Sequence, residues 1–393
     1  MAADAIQTPQ QGRDPASLAR RSLRLGLDPL LTLAAIGLGI VSLVTLDGIS
    51  HSEMVRQAAY LGAGLLAMLA ISRFDYSRLR ELKWGLYVIL LAAIVVVIGA
   101  GHSIGGVSTR SIGVSVFSFQ GSEVGKVLLI VFLAAFVVDS SRKTSSRQLV
   151  ARVILLALVP TMLVIAEPDL GSGLVYVAVA FAVLYIAGVD WRHLTGILGL
   201  GIAALVLVLV VGPQIGIHSY QADRVTAFFD PGAIPAKKIA NALYQQHQSV
   251  INIGAGQKFG LGAAATHTAI NFVPLNSTDF IFAALAERFG FAGAAFVLSL
   301  YALIIWRTLR IVAAAKNLFG ALVAAGVVAM LMFQVFVNVG VTVGILPVTG
   351  VTLPLMSYGG SSVLTTFLAL GLLQSIYAQA RIAAGTKGRV LSF

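Results

Sequence analysis

A few ionisable side chains interrupt long apolar stretches of this sequence, and their types and spacing could support chemistry. Glu123 and Lys126 stand three residues apart, a spacing that places both side chains on one face of a helix. Asp169 and Asp279 each stand immediately before a long apolar run. Carboxylates can act as general bases, and neighbouring cations can stabilise a departing phosphate group. The same groups would also suit the binding site or proton relay of a transporter.

Each of these groups also has a structural interpretation. The first pair would form an ion pair that anchors a helix, whereas Asp169 and Asp279 would cap the helices that follow them, which contributes only about 1 kcal/mol. Glu167 stands two residues before Asp169, and two carboxylates so close could share a proton or hold a divalent cation. Glu287 follows Asp279 by eight residues, which would place both acids on one helical face. Together these groups exceed what capping requires.

Basic residues near the same apolar boundaries complete a predicted polar cavity. Arg110 precedes Glu123 in the chain, and Arg224 lies in the longest connection between apolar runs. Arg110 could equally be an anchor at the membrane interface. Acids beside bases at the boundary between lipid and water would suit an amphiphilic substrate with a phosphate head. The residues predicted to line this cavity are Asp169, Asp279, Glu123, Arg110, Lys126 and Arg224.

The composition indicates which elements must position these residues. Apolar residues make up 58% of the 393 residues and charged residues only 11%, against about 25% charged in a soluble domain. A soluble globule would need more polar surface, and a disordered chain would hold fewer apolar residues. The absence of cysteine excludes disulfide-rich and metal–thiolate folds. The net charge of +11 comes from short basic clusters between apolar runs, which is typical of membrane loops and not of nucleic-acid binding.

Ten apolar runs predict an all-α, polytopic membrane protein with about ten transmembrane helices. The runs cover 29–46, 57–72, 85–101, 122–138, 149–166, 170–189, 194–212, 280–306, 317–340 and 360–380. With both termini in the cytoplasm, cytoplasmic segments would hold 19 Lys and Arg and the other side 8, in agreement with the positive-inside rule. The predicted organisation is a cytoplasmic tail at 1–28, a membrane domain at 29–380 and a second cytoplasmic tail at 381–393.

Two connections on the predicted outer side are unusual. The loop between the seventh and eighth helices, 213–279, has 67 residues, and connections of this length are usually functional or disordered. Its part 235–252 could form an amphipathic helix along the membrane interface or a helix packed on the bundle. The segment 346–362 is apolar but contains two prolines and three glycines. It predicts a re-entrant loop, whose backbone only protein or a hydrated cavity can satisfy.

The candidate residues belong to a series of short motifs that follow one another along the chain. These motifs are Phe119-Gln120-x-Ser122-Glu123-x-x-Lys126, Pro168-Asp169-Leu170-Gly171, Tyr244-Gln245, Gln248-Ser249, the glycines Gly254, Gly256, Gly260 and Gly262, Thr278-Asp279-Phe280-Ile281-Phe282-Ala283, Asn338-Val339-Gly340, Leu353-Pro354 and Ser357-Tyr358-Gly359-Gly360-Ser361-Ser362. In this order they resemble the SEDS family of shape, elongation, division and sporulation proteins (RodA, FtsW, SpoVE). Pro347-Val348-Thr349-Gly350 and the segment 223–231 resemble the RodA branch most closely.

The resemblance implies a function and a set of site residues. It implies a peptidoglycan glycosyltransferase in the bacterial cytoplasmic membrane that polymerises lipid II during elongation, with its active site on the extracytoplasmic face. Its partners would be a class B penicillin-binding protein and the elongation machinery. Asp279 would be the catalytic base, with Asp169 as a second catalytic carboxylate, in a reaction that inverts the anomeric carbon. The groups implied to bind substrate or pyrophosphate are Arg110, Glu123, Lys126, Arg224, Lys258, Ser357 and Tyr358, with or without a divalent cation such as Mg²⁺ or Mn²⁺.

The sequence departs from the family pattern at several positions. Ser111 replaces a usual Trp, Gly121 a usual Pro and Glu167 a usual Gln, and Leu275 stands in a segment that usually reads Pro-Glu-x-His. These changes bear on substrate handling or on contact with the penicillin-binding protein more than on the overall activity. The alternative functions are a transporter or flippase of lipid-linked cell-wall precursors and a non-catalytic scaffold for cell-wall proteins.

Overall fold

The protein is built almost entirely from helices. The computed structural model describes residues 26–100, 112–114, 117–141, 143–167, 169–196, 199, 228, 236–265 and 277–390. The helices are α1 (Pro29–Asp47), α2 (His51–Ser72), α3 (Lys83–Ala100), α4 (Gly121–Ser140), α5 (Ser146–Ala166), α6 (Leu170–Ile186), α7 (Ala236–Gly256), α8 (Ile281–Ala314), α9 (Leu318–Thr342) and α10 (Gly360–Val390).

The predicted transmembrane helices are present wherever the structure describes them. Nine of the ten apolar runs coincide with helices, α1–α6 and α8–α10, whereas most of the seventh run, 194–212, lies outside the described residues. Within the described part, seven helices are long and apolar enough to cross a membrane, and α3 and α6 are shorter apolar helices. The chain is therefore an all-helical, polytopic membrane protein, as predicted.

The core of the bundle lies where α4, α9 and α10 meet. Most residues of these three helices are buried, whereas α2 and α5 turn more of their surface outward. α4 packs against α3, α6 and α9, and α10 packs along α2. The centre is filled by aliphatic side chains such as Leu129, Ile130 and Leu370, whose close packing holds helices together in an apolar surrounding. These contacts fix the first turns of α4 and α6, which carry candidate site residues.

The end of the bundle at which α1 begins and α8 ends is held by a buried ion pair. Asp28 is the N-cap residue of α1, and its carboxylate accepts a hydrogen bond from Leu31 N. The same carboxylate accepts hydrogen bonds from the guanidinium of Arg307 near the end of α8, with Nε at 2.8 Å. Gln374 of α10 accepts a hydrogen bond from Asp28 N and donates one to Asp28 O. Three helices therefore converge on one buried residue, Asp28.

A second contact at the same end joins the connection between α2 and α3 to α9. Tyr76 begins the short 3-10 helix Tyr76–Arg80, and its ring stacks on Phe319. Burial raises the pKa of Tyr76 to about 12, so its hydroxyl remains protonated at neutral pH. The hydroxyl donates to Asn317 Oδ1 at 3.2 Å, and the same oxygen caps α9 by accepting from Gly320 N. This connection therefore docks directly on the start of α9.

α8 is interrupted at Gly290, whereas the sequence predicted one continuous helix. Gly290 has φ 65° and ψ −165°, so α8 consists of two helical pieces, 281–289 and 291–314. A residue with a side chain rarely adopts this positive φ. The space is also closed, because a Cβ at Gly290 would lie 2.5 Å from Phe259 N. Both the conformation and the close approach of the preceding turn require glycine.

The backbone groups released by this break are satisfied by the turn that follows α7. The N–H groups of Phe291 and Ala292 donate to the carbonyl oxygens of Gln257 and Lys258, at 2.9 and 3.0 Å. These N–H groups would otherwise lack acceptors within an apolar bundle, which is costly. This turn of the long loop is therefore part of the structure of α8.

The helix predicted within the long loop is present and packs on the bundle. α7 lies against the first part of α8 and the end of α9. Its buried Gln246 donates through Nε2 to Val341 O and Leu346 O, and its buried Ser249 donates to Thr342 O at 2.8 Å. Of the two alternatives for this segment, the structure shows the helix packed on the bundle.

One small element was not expected from the sequence. Two short strands, β1 (Ile112–Val114) and β2 (Phe117–Phe119), pair antiparallel just before α4. Gln120, the residue after β2, donates through its backbone N–H to Ser361 Oγ at 3.1 Å. This contact ties the start of α4 to the start of α10.

Candidate active site

Asp279 lies in a turn at 277–280, immediately before α8 begins at Ile281. The N-cap position of α8 belongs to Phe280, so Asp279 is not the cap residue. Asp279 is partly exposed, whereas Phe280 beside it is fully buried. Because Asp279 precedes the helix, it does not share a helical face with Glu287 as expected. Asp279 therefore lies at the end of the bundle, next to the buried Phe280.

The backbone of this turn is held by Ser357 and Tyr358, which lie in the connection between α9 and α10. Tyr358 N donates to Ser277 O at 2.8 Å, and the Ser357 hydroxyl donates to Thr278 O at 2.6 Å. The Ser357 hydroxyl also accepts a hydrogen bond from Leu353 N at 2.8 Å. Ser357 and Tyr358, predicted as substrate-binding residues, thus lie against the Asp279 turn.

Asn338 completes the support of the turn. Its Nδ2 donates to Asp279 O at 2.9 Å and to Val351 O at 2.8 Å. Asn338 is buried on α9, one turn before the helix ends. Asn338 belongs to the motif Asn338-Val339-Gly340, but spacing alone gave no indication of a partner 59 residues away.

In the connection between α9 and α10, residues 343–359, the stretch 348–357 is largely buried, in agreement with the re-entrant prediction, whereas Ile345 is exposed. Backbone carbonyl groups of this stretch are satisfied by side chains from distant helices. Ser42 of α1 donates to Met356 O at 2.7 Å, and Tyr301 of α8 donates to Pro354 O at 2.6 Å. Irregular backbone inside a membrane protein is stable only with such partners. The segment therefore forms a fixed floor beside Asp279.

Asp169 caps α6 and also accepts hydrogen bonds from the start of α4. Its Oδ1 accepts a hydrogen bond from Ser172 N and caps α6, as the structural interpretation predicted. Its Oδ2 accepts hydrogen bonds from the Ser122 hydroxyl at 2.8 Å and from Gln120 Nε2 at 3.0 Å. Asp169 is 2% exposed, so this carboxylate is enclosed by the starts of α4 and α6.

Glu123 and Lys126 form an ion pair, as their spacing predicted. Lys126 Nζ lies 2.6 Å from Glu123 Oε1, and both side chains are almost completely buried. Tyr176 of α6 donates to Ser122 O at 3.0 Å and closes the space beside the pair. A buried charge is stable only when it is paired or hydrogen-bonded. The pair therefore places charge inside the bundle, one turn below the residues that hold Asp169.

The Asp169 cluster and the Asp279 turn meet across the re-entrant segment. The backbone of Gly171, next to the Asp169 cap, lies so close to Thr349 O and Val351 that no side chain fits between them. Asn338 donates to Val351 O and to Asp279 O. The backbone next to each candidate catalytic carboxylate is therefore tied to the same short segment, 349–351.

This arrangement matches known proteins. The model of the cell cycle protein family FtsW/RodA/SpoVE matches residues 27–382. The chain belongs to this family. It is 33% identical to the peptidoglycan glycosyltransferase MrdB of Escherichia coli over 368 residues, which cover 91% of this chain and 95% of that protein. It is 31% identical to the stage V sporulation protein E of Bacillus subtilis, over 90% of this chain and 96% of that protein.

Solved structures of family members are similar as well. A chain from a peptidoglycan synthase complex that coordinates polymerization and crosslinking has a TM-score of 0.76 and 30% identity, covering 91% of this chain and 99% of that chain. The rod shape determining protein RodA of Thermus thermophilus has a TM-score of 0.67 and 28% identity, covering 90% of this chain and 97% of that chain. The FtsW/RodA/SpoVE fold thus extends over nearly the whole protein.

Several predicted residues of this FtsW/RodA/SpoVE chain lie outside the described parts. They are Arg110, Ser111, Arg224 and Leu275. Lys258 is described, and its side chain is exposed beside the break in α8. Its position in the turn after α7 separates it from the buried pair of Glu123 and Lys126. The predicted contacts of these cations with pyrophosphate stay predictions.

The described acids do not by themselves complete a site for a divalent cation. Both oxygens of Asp169 already accept hydrogen bonds from three donors. Glu167 is buried at the end of α5, and Glu287 is buried in α8 with neither carboxylate oxygen hydrogen-bonded. Among the described residues, no group of three or more acidic or histidine side chains could hold a metal ion. The described residues therefore give no basis for assigning a catalytic step to a divalent metal ion.

Proposed function

We propose that this protein is a peptidoglycan glycosyltransferase that polymerises lipid II into glycan strands during cell elongation. The observation that carries the proposal is the placement of Asp279 in this family member. Asp279 is partly exposed at the end of the bundle, on a turn whose backbone is held by α9 and by the connection between α9 and α10. Relatives of similar length are named peptidoglycan glycosyltransferases, which supports the same chemistry here.

In this reaction Asp279 acts as the general base. It takes the proton from the 4-hydroxyl of the acceptor sugar as that oxygen attacks the anomeric carbon of the donor. The bond from the anomeric carbon to undecaprenyl pyrophosphate breaks, and the pyrophosphate leaves with the electron pair. Attack on the face opposite the leaving group inverts the anomeric carbon, so an α-linked donor gives a β-linked strand. General-base catalysis typically contributes about 10²–10⁴-fold.

The leaving pyrophosphate carries negative charge that cations must stabilise. The family resemblance implies Arg110, Arg224 and Lys258 for this role, and Lys258 is exposed. Lys126 is paired with Glu123, so its charge acts on the site from within the bundle and not by direct contact. Asp169 serves as the second carboxylate and fixes the start of α4 through Ser122.

The same proposal places the protein in the bacterial cytoplasmic membrane with a partner. Both termini lie in the cytoplasm, and Asp279 faces the outer side, where lipid II carries its disaccharide for polymerisation. The partner is a class B penicillin-binding protein of the elongation machinery. The similarity to a chain of a peptidoglycan synthase complex supports such a partnership.

The experiment measures strand synthesis from lipid II by the purified protein with its penicillin-binding partner in detergent. We expect Asp279→Asn to lower the rate by about 10²–10⁴-fold, because the base is removed without a change in size. Asp47→Asn is the matched control, since Asp47 is an exposed acid at the end of α1 whose carboxylate pairs with the exposed His51. We expect it to keep the normal rate.

Two results would contradict the proposal in different ways. Normal strand synthesis by Asp279→Asn would remove Asp279 as the base. Movement of lipid II across vesicle membranes by the normal protein, with no polymer formed under any condition, would favour the transporter.

A further inference from the structure

The turn that carries Asp279 is restrained at both of its flanking peptide groups. The peptide group between Thr278 and Asp279 includes Thr278 O, which accepts a hydrogen bond from the Ser357 hydroxyl at 2.6 Å. The peptide group after Asp279 begins with Asp279 O, which accepts one from Asn338 Nδ2 at 2.9 Å. Peptide groups are planar, so a residue has only two soft backbone dihedrals, φ and ψ. Fixing both planes fixes both dihedrals and hence the direction of the Cα–Cβ bond.

Asn338 is suited to this task by its chemistry. Its amide nitrogen has two N–H groups, which donate to Asp279 O and Val351 O. The orientation of the amide is determined by these partners, because a reversed amide would set its oxygen against two carbonyl oxygens. Asn338 Oδ1 is buried and accepts no hydrogen bond, so the side chain is held by its two donors alone. An aspartate or leucine of similar size would supply neither donor.

Ser357 is restrained in turn by residues outside the site. Its hydroxyl accepts from Leu353 N, which directs the hydroxyl hydrogen toward Thr278 O. Its own carbonyl accepts from Gln57 Nε2 of α2 at 3.1 Å, and Gln57 is completely buried. The hydroxyl has both a donor and an acceptor role filled by backbone groups. It is therefore occupied within the protein and not directed at a ligand.

We infer that Asn338 and Ser357 are positioning residues, which set the direction of the Asp279 carboxylate through its two flanking peptide groups. This inference rests on the proposed function with Asp279 as the base. It differs from the substrate-binding role predicted for Ser357 from the family resemblance. A catalytic group displaced by about 1 Å can lose about 10²-fold in rate, although substrate binding is unchanged. The effect of both residues therefore belongs to kcat and not to KM.

The experiment compares kcat and KM for lipid II in the purified protein with its penicillin-binding partner. We expect Asn338→Leu and Ser357→Ala each to lower kcat by about 10–100-fold, with KM for lipid II within about threefold of normal. Ser357→Thr keeps the hydroxyl and is expected to retain most of the kcat. Thr342→Val is the matched control, because Thr342 is fully buried one turn further along α9 and its hydroxyl donates only within its own helix.

Thermal unfolding of each variant in detergent separates positioning from a loss of folded protein. If Asn338→Leu does not fold, the comparison of Ser357→Ala, which lacks the hydroxyl, with Ser357→Thr, which keeps it and adds a methyl group, decides the question. A raised KM with an unchanged kcat in Ser357→Ala would overturn the inference and return Ser357 to substrate binding. Normal kcat in both variants would also overturn it. Asp279→Asn is measured in parallel: if it is active, the proposed base fails, whereas an inactive Asp279→Asn with normal Asn338→Leu and Ser357→Ala refutes positioning alone.

Discussion

The buried pair of Glu123 and Lys126 shows how a single contact can hold charge inside an apolar bundle. Removal of one partner leaves the other charged group buried without compensation, which costs about 3–5 kcal/mol. We therefore expect Lys126→Met to lower the free energy of unfolding by this amount, with the loss measured by thermal unfolding in detergent. The double variant Glu123→Gln, Lys126→Met has no isolated charge and should recover most of the stability.

The double variant also separates stability from chemistry. Recovered stability together with lost strand synthesis would show that the charges serve the reaction. A single variant as stable as the normal protein would show that the pair is not needed for folding.

At the same scale, local spacing predicted local partners and missed distant ones. The i, i+3 spacing of Glu123 and Lys126 and the cap at Asp169 follow from neighbouring residues, and both are present. The hydrogen bonds from Ser122 to Asp169 and from Asn338 to Asp279 join residues 47 and 59 positions apart. Such partners depend on how helices pack, which the order of residue types does not specify.

Among the elements, the interrupted helix α8 makes the sharpest prediction. Gly290→Ala would place a side chain at a positive φ and against the backbone of the turn 257–261. Strain of this kind costs about 1–3 kcal/mol, and the clash adds to it. We expect a clear fall in thermal stability. Gly85→Ala in α3 is the matched control, because a Cβ there meets no atom within 4 Å.

Alanine is favoured over glycine inside an exposed helix by about 0.5–1 kcal/mol. Gly85→Ala should therefore keep or raise the thermal midpoint. If Gly290→Ala behaved in the same way as Gly85→Ala, the two-piece description of α8 would be incorrect.

Hydropathy could not predict this interruption because an interrupted helix and a continuous helix have the same apolar composition. What differs is the supply of acceptors from Gln257 and Lys258, 34 residues earlier than Phe291 and Ala292 in each pair.

Gly121 is a second residue whose role depends on packing between helices. Proline is normally favoured at a first helical position, yet a Cβ at Gly121 would lie 2.5 Å from Ala93 O of α3. The departure from the family's proline is explained by this helix contact.

For the molecule as a whole, the ion pair between Asp28 and Arg307 joins the first helix to the late ones. Asp28 is fully buried, so loss of the guanidinium leaves an unpaired carboxylate. We expect Arg307→Gln to lower the free energy of unfolding by about 3–5 kcal/mol, as measured by thermal unfolding in detergent. Arg310→Gln is the control, because the guanidinium groups of both arginines lie over the Trp306 ring, at 5.3 and 5.5 Å.

Arg310 is exposed and Asp28 pairs with Arg307 instead, so the replacement of Arg310 should change stability by no more than about 0.5 kcal/mol. Equal losses in both variants would assign the effect to the tryptophan contact instead of the ion pair.

The overall architecture was the most predictable level. Runs of about 20 apolar residues can only be helices in a membrane, because backbone groups there need internal partners. Nine of the runs are helices in the described chain. The bounds of α2 and α10 extend beyond their runs, from His51 and to Val390, because helices continue past the hydrocarbon layer. The segment 346–362 was expected to be re-entrant, but its particular hydrogen bonds were not predicted.

The break in α8 has a consequence for the helical piece that precedes it. The piece 281–289 has nine residues, about 13 Å of helix at about 1.5 Å per residue, which is too short to cross about 30 Å of hydrocarbon. This piece is therefore too short to span the bilayer by itself. The turn after α7 holds this piece, because Leu261 N donates to Glu287 O at 2.9 Å. The piece 281–289 joins the turn that carries Asp279 to the contact with the turn 257–261, so the positions of these two turns depend on each other.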